Sequence, residues 1–215
     1  MIEKVVLEEQ IEELKRKEWD EARILKKVED LMDYGIPKKV LNKEELLSKR
    51  EEILDRVSKN AQDYEYITFN CAQGTALALM EEFGLGNMDL FKGLFPFPGC
   101  GATGRICGAV SGGIFALGLF FSKDFNKPEI LFGPHVAPGV LAVREDLDKF
   151  IEVWGSTECK DLQELIYGRA IDPFSSPTAI EEFMVEEKGP SVCSLPPAYG
   201  ARIAAGIIID SMKES

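Results

Sequence analysis

Apolar residues recur at helical spacing along most of this chain. Val6, Ile11, Leu14 and Trp19 form a first stripe in a background of Glu and Lys, and Ile24, Leu25, Val28, Leu31 and Met32 form a second. Gly35 and Pro37 end it, the one by allowing a left-handed cap, the other by removing an amide donor. Asn42 reads as an N-cap with Glu44 and Glu45 in the first turn, opening a stripe of Leu46, Leu47, Ile53, Leu54 and Val57 that ends near Asn60. Residues 1–62 therefore predict amphipathic helices that cover a core. Their other use is as an interaction arm or a dimer surface.

Residues 64–69 read as a short link. Asn70 then caps a helix over 71–83, with Gln73 at the return position of a capping box. Cys71 falls in its first turn, where a helix N-terminus favours thiolate. Leu90 to Phe95 predicts one helical turn before Pro96 and Pro98. Next comes the stretch that organises the chain, Pro98-Gly99-Cys100-Gly101-Ala102-Thr103-Gly104-Arg105-Ile106-Cys107-Gly108 and on to Gly113. Small residues surround both sulfurs, so backbone N–H groups can approach an anion or a cluster sulfur closely. Gly101, Gly104 and Gly108 are the candidates for that contact. Gly104, Gly108 and Gly112 recur every fourth residue and would share one helix face. The run from Ile106 to Phe121 predicts a buried helix and is short for a membrane span. Residues 122–139 form a Pro-rich loop with the only histidine, His135, whose ordinary role is structural and whose other use is as a metal ligand.

Further helices are predicted over 140–154, with Leu141, Leu147, Phe150, Ile151 and Trp154 inward, and after a Ser156 or Thr157 cap, with Cys159 in the first turn. A third is capped by Thr178 and a last one runs over 199–212, with a Pro-bounded loop carrying Cys193 between them. Little reads as strand. The expectation is all-α, with roughly six to nine helices, in a single compact helical domain. That domain divides into an N-terminal extension, 1–62, and a cysteine-containing part, 63–215.

The net charge of −12 argues against a nucleic-acid surface. The charged N-terminus shows no signal-peptide core, and no membrane partner is expected, so a cytoplasmic location is. Five cysteines, an odd number, suit thiol or metal chemistry better than a disulfide framework. The signatures of thioredoxin-like, c-type haem and zincin chemistry are absent, as is a Walker loop. Gly99 to Gly104 matches the letters of a dinucleotide fingerprint, but no strand precedes it. Three or four converging thiolates among Cys71, Cys100, Cys107, Cys159 and Cys193 would make an iron–sulfur or zinc site. Two would make a thiol–disulfide switch, with Cys71 or Cys107 as nucleophile. None converging would leave buried structural thiols.

Asn70-Cys71-Ala72-Gln73, then Cys107-Gly108-Ala109-Val110-Ser111-Gly112, then Phe150 to Cys159 followed by Leu162, and finally Cys193 before an apolar helix, resemble the redox-active family named for its motif C_GCAxxG_C_C. The resemblance covers about residues 64–215. The family is similar to the core of split-Soret cytochromes, which are dimers with c-type haems and a further iron–sulfur centre. It implies an iron–sulfur cluster held by Cys71, Cys107, Cys159 and Cys193, a homodimer and a separate redox partner. Haem is not expected, because its attachment motif is missing. Cys100 lies outside the motif and stays open as a ligand, a resolving thiol or neither.

Overall fold

A computed structural model describes residues 2–122 and 137–213; His135 lies outside the described residues. The chain is all-α, with no strand among the described residues. Helices α1 (Lys4–Arg16) and α2 (Glu21–Tyr34) follow the first two stripes. Asn42 caps α3 (Lys43–Ser48), accepting the Glu45 N–H at 3.0 Å. The third stripe is two helices rather than one: the chain breaks at Lys49 and resumes as α4 (Arg50–Thr68). That helix also takes in the expected link, because Val57, Ala61 and Tyr64 continue its buried face without interruption.

The core is built from α4, α5 (Cys71–Phe83), α8 (Gly108–Phe121) and α13 (Leu195–Ser211), with α9 (Ala137–Trp154) against α8 and α13. Small residues let these helices come close. A Cβ on Gly112 would lie 2.5 Å from the Ala72 carbonyl oxygen, and one on Gly200 would lie 2.8 Å from that of Ala109. Ala76, Ala201, Ala204 and Ala205 fill the same interfaces, and Leu77, Leu79, Met80 and Ile208 supply the apolar bulk. Gly104 does not share the Gly108–Gly112 face, since the helix starts only at Gly108. On α9 the buried positions are Ala142, Asp146, Phe150 and Trp154; Leu141 and Ile151 are exposed instead.

A second apolar cluster joins α1 to the cysteine-bearing elements. Leu7, Ile11 and Leu14 pack with Phe150, Trp154, Leu162 and Val192. The N-terminal helices thus cover the core, α1 lying on α10 (Cys159–Tyr167) and α12 (Gly189–Val192), and α2 lying on α4.

The helices outnumber the expected six to nine because the third stripe splits in two and Gly- and Pro-rich stretches fold into the single turns α7 (Gly99–Ala102) and α12, while α6 (Met88–Gly93) and α11 (Pro177–Glu181) lie near the short helices expected at Leu90 and Thr178. Ser176, not Thr178, caps α11, accepting the Ala179 N–H at 3.1 Å with Pro177 in the first turn. The expected loop over 189–197 is likewise helical on both sides of Cys193, because Pro190, Pro196 and Pro197 all occupy first turns, where no amide donor is needed. Gly189–Ser211 is long and apolar enough by composition to cross a membrane, and 78% of that window is buried inside the fold, which marks it as the core helix.

Candidate functional site

Four of the five cysteines converge from separate elements. Cys71 opens α5, fixed by Asn70, whose side chain accepts the Gln73 N–H at 3.0 Å and donates to the Phe95 carbonyl at 3.0 Å. Gln73 does not close a capping box; its amide donates to the Phe91 carbonyl at 3.2 Å. Cys107 is the N-cap of α8. Cys159 opens α10. An isolated antiparallel bridge between Ile106 and Glu158 ties these two together: Cys107 N–H donates to Thr157 at 2.8 Å and Cys159 N–H to Arg105 at 2.7 Å. Cys193 caps the C-terminal end of α12, next to α13.

Cys71, Cys159 and Cys193 line one cavity of about 280 Å³, and Cys107 stands behind Cys71, thiol against thiol. The Gly108 N–H points at the Cys71 sulfur. Only glycine permits that approach, since a Cβ there would lie 2.2 Å from the sulfur and 2.6 Å from the Ala72 nitrogen. Gly104 also lines the cavity, and Gly99 leaves its Cβ position 3.6 Å from the Cys159 sulfur.

Gly101 and Cys100 are not part of that lining, although Cys100 is near enough to Cys159 to act on it electrostatically. Both are exposed, neither lines the cavity, and the Gly101 N–H is spent on the Pro96 carbonyl at 2.8 Å. Cys100, Gly101 and Ala102 all have left-handed φ values, 53°, 77° and 59°, and the turn they make satisfies its own donors rather than presenting them to a ligand.

Most of the remaining cavity wall is apolar, with Phe69, Ile171, Phe174, Ile180 and Phe183 prominent. The π-helical turn Glu182–Glu186 carries Phe183 and Met184 onto it. This segment is tied down by Arg169, which pairs with Glu182 and, at 3.0 Å, with Glu187; Gln163 of α10 separately holds Ile171, accepting its N–H at 2.9 Å.

Two polar groups were not anticipated from the sequence. Glu65 of α4 lines the cavity, fully buried, and its Oε2 has no hydrogen-bond partner among the described residues. Burial pushes its carboxyl up to about 8. The one available signal was its register: Val57, Ala61 and Glu65 lie four residues apart, which puts the carboxylate on a buried stripe. The buried Tyr167 hydroxyl of α10 faces the Cys193 sulfur and has no nitrogen or oxygen partner among the described residues.

The thiols do not behave as their helix positions predict. The pKa of Cys71 is raised well above the ordinary thiol value, first by its contact with Cys107 and then by burial. Burial pushes Cys159 up to about 12 and raises Cys193 strongly. The helix N-terminus favours thiolate, but desolvation of the sulfurs in a largely apolar cavity outweighs it. Among the described residues no three His, Cys, Asp or Glu side chains are spaced to hold a single metal ion.

Residues 69–195, more than half of the chain and including all five cysteines, match the model of the family described as "Putative redox-active protein (C_GCAxxG_C_C)". The chain belongs to this family. No curated protein and no solved structure matches it. The matched span of this C_GCAxxG_C_C member begins one residue before the Asn70 cap and ends at the start of α13, so it takes in every element that carries a cysteine. Helices α1–α4 lie outside it, Glu65 included.

Proposed function

We propose that the redox chemistry of this family member takes place at the cavity shared by Cys71, Cys159 and Cys193, with Cys107 behind Cys71, and that these sulfurs hold an iron–sulfur cluster. The observation that carries the reading is the convergence of three sulfurs from separate elements on one cavity, with a fourth in contact behind them. Four cysteine sulfurs are the donor set that such a cluster takes. Bound there, it would supply one-electron transfer and the positive charge that keeps ligating sulfurs deprotonated.

The chain's own residues do the rest. The Gly108 N–H donates toward the Cys71 sulfur, a contact that tunes the potential of a ligating thiolate. The largely apolar wall lowers the polarity around the sulfurs. Glu65 presents a carboxyl held protonated near neutral pH beside the sulfurs. The reducing cytoplasm is the compartment in which these cysteines stay available as ligands.

The test is iron and acid-labile sulfide content, measured on anaerobically purified Cys→Ser variants. Loss of both from the Cys71, Cys159 and Cys193 variants is expected, and full content in Cys71→Ser and Cys107→Ser would contradict the reading.

A second reading rests on the direct contact of the Cys71 and Cys107 thiols. In it they close a disulfide, giving two electrons and two protons to a small-molecule disulfide, which leaves as two thiols. The raised pKa of Cys71 opposes its acting as the nucleophile, because a protonated thiol attacks poorly. A loss of two mass units on mild oxidation of iron-free protein, mapped to these two residues, would favour it.

A further inference from the structure

Next to the cysteine cavity lies a second pocket, of about 320 Å³, with a different character. Lys15, Lys17 and Lys188 line it and no Asp or Glu does, in a chain with 37 acidic and 25 basic residues. Lys15 pairs with Glu12 at 3.1 Å on the surface. Lys17 and Lys188 have no ion-pair partner among the described residues. Lys17 instead donates to Gln62 at 3.1 Å and stands 3.6 Å from the centre of the Trp19 ring. Of the two carboxylates that attract it, Asp63 and Glu13, the stronger influence, Asp63, is already bound by Arg23 at 2.7 Å and Lys59 at 3.1 Å.

The frame around these ammonium groups is fixed. Trp19 stacks on Tyr66 with centroids 4.3 Å apart and donates to the Ser191 hydroxyl at 2.9 Å. Both faces of the indole are occupied, so the ring is a wall and not a stacking platform. Lys188 has a left-handed φ of 53°, a conformation that costs a side-chain-bearing residue free energy. A glycine would fit there without strain; the lysine adds a cation at the edge of the pocket.

The two cavities have Phe69, Met184 and Pro190 as common walls. A cationic end therefore adjoins an apolar one, and the sulfurs sit beyond it. We propose that the lysine pocket binds the oxyanion, carboxylate or phosphate, of a small amphiphilic molecule whose apolar part lies along Phe174, Ile180 and Phe183 in the cysteine cavity. The lysines supply charge-assisted hydrogen bonds and the apolar wall supplies the buried area. That the molecule is a reactant rests on the redox reading of the cavity; that it binds rests on the pocket alone.

The test uses the full chain, purified without oxygen, with iron and sulfide counted in each sample so that the cluster reading is scored separately. Octanoate is titrated by calorimetry and by intrinsic fluorescence, since Trp19 lines the pocket whereas Trp154 is buried elsewhere. Octanoate should bind saturably and inorganic phosphate should compete with it. Octanol should bind about tenfold or more weaker, as should octanoate to the Lys17→Gln/Lys188→Gln variant. Unchanged helicity by circular dichroism controls for folding, and each single variant serves if the double one does not fold. No saturable binding, equal affinity for octanol, indifference to phosphate, or full affinity in folded lysine variants would overturn the proposal.

Discussion

Gly108 sets the distance between α8 and the Cys71 sulfur, and the neighbours its Cβ would meet include the Ala72 nitrogen, which cannot turn aside. Gly108→Ala should therefore cost about 1–3 kcal/mol of stability in denaturant unfolding, and it should also lower iron content. Asp146 gives the pH-dependent case. It is buried, its Oδ1 has no partner among the described residues, and burial pushes its carboxyl from 3.8 up to about 7. Between those values the native state holds a proton that the unfolded chain has released, so this residue's contribution to stability falls as pH rises. Asp146→Asn should unfold later than the parent at alkaline pH, by about 1–3 kcal/mol, with the gap closing towards pH 4. A gap independent of pH would mean the carboxylate is solvated. At this scale the sequence read well where chemistry is local: the Asn42 and Asn70 caps depend only on residues within one turn. The thiol pKa directions did not follow, because a helix terminus is a local feature and burial is not. Glu65 fell in the stretch read as a short link, and only its register with Val57 and Ala61 set it apart.

The helices themselves follow from apolar spacing, and their contacts follow from small residues. Gly112→Ala places a methyl 2.5 Å from the Ala72 carbonyl oxygen, on the same α5–α8 contact as Gly108. Gly118, on the same helix, has open space where its Cβ would go. Gly118→Ala should raise stability by about 0.5–1 kcal/mol through helix propensity, and Gly112→Ala should lower it. Equal effects would mean that the α5–α8 approach is looser than described. The sequence could show that glycines recur every fourth residue, yet not where the helix begins. Gly104 precedes the helix, in a turn whose lengths and donors are fixed by contact with Lys160 and Gly99. The single turns α7 and α12 were read as loop for a related reason: Gly and Pro punctuate a chain without saying whether the next three residues close a turn.

Across the whole molecule, the family match and the cavity meet at the same residues, since all five cysteines fall within 69–195 and three of them line one volume. Their order along the chain was legible; their meeting was not, because spacing carries no information about which helices pack together. The N-terminal helices contribute Leu7, Ile11 and Leu14 to the cluster that holds Cys107 and Leu162. Removing residues 2–17 should therefore destabilise the cysteine site as well as expose it, which iron retention during mild heating would register. A truncated chain that keeps its iron as well as the parent would separate that arm from the site. The most direct measurement is the visible spectrum of the anaerobically purified chain, recorded with iron and acid-labile sulfide counts on the same sample. Broad charge-transfer absorption that bleaches on reduction, with iron and sulfide in matching amounts, is the predicted result. A colourless protein without iron or sulfide after anaerobic handling and reconstitution would contradict the cluster and leave the Cys71–Cys107 thiol pair as the redox element.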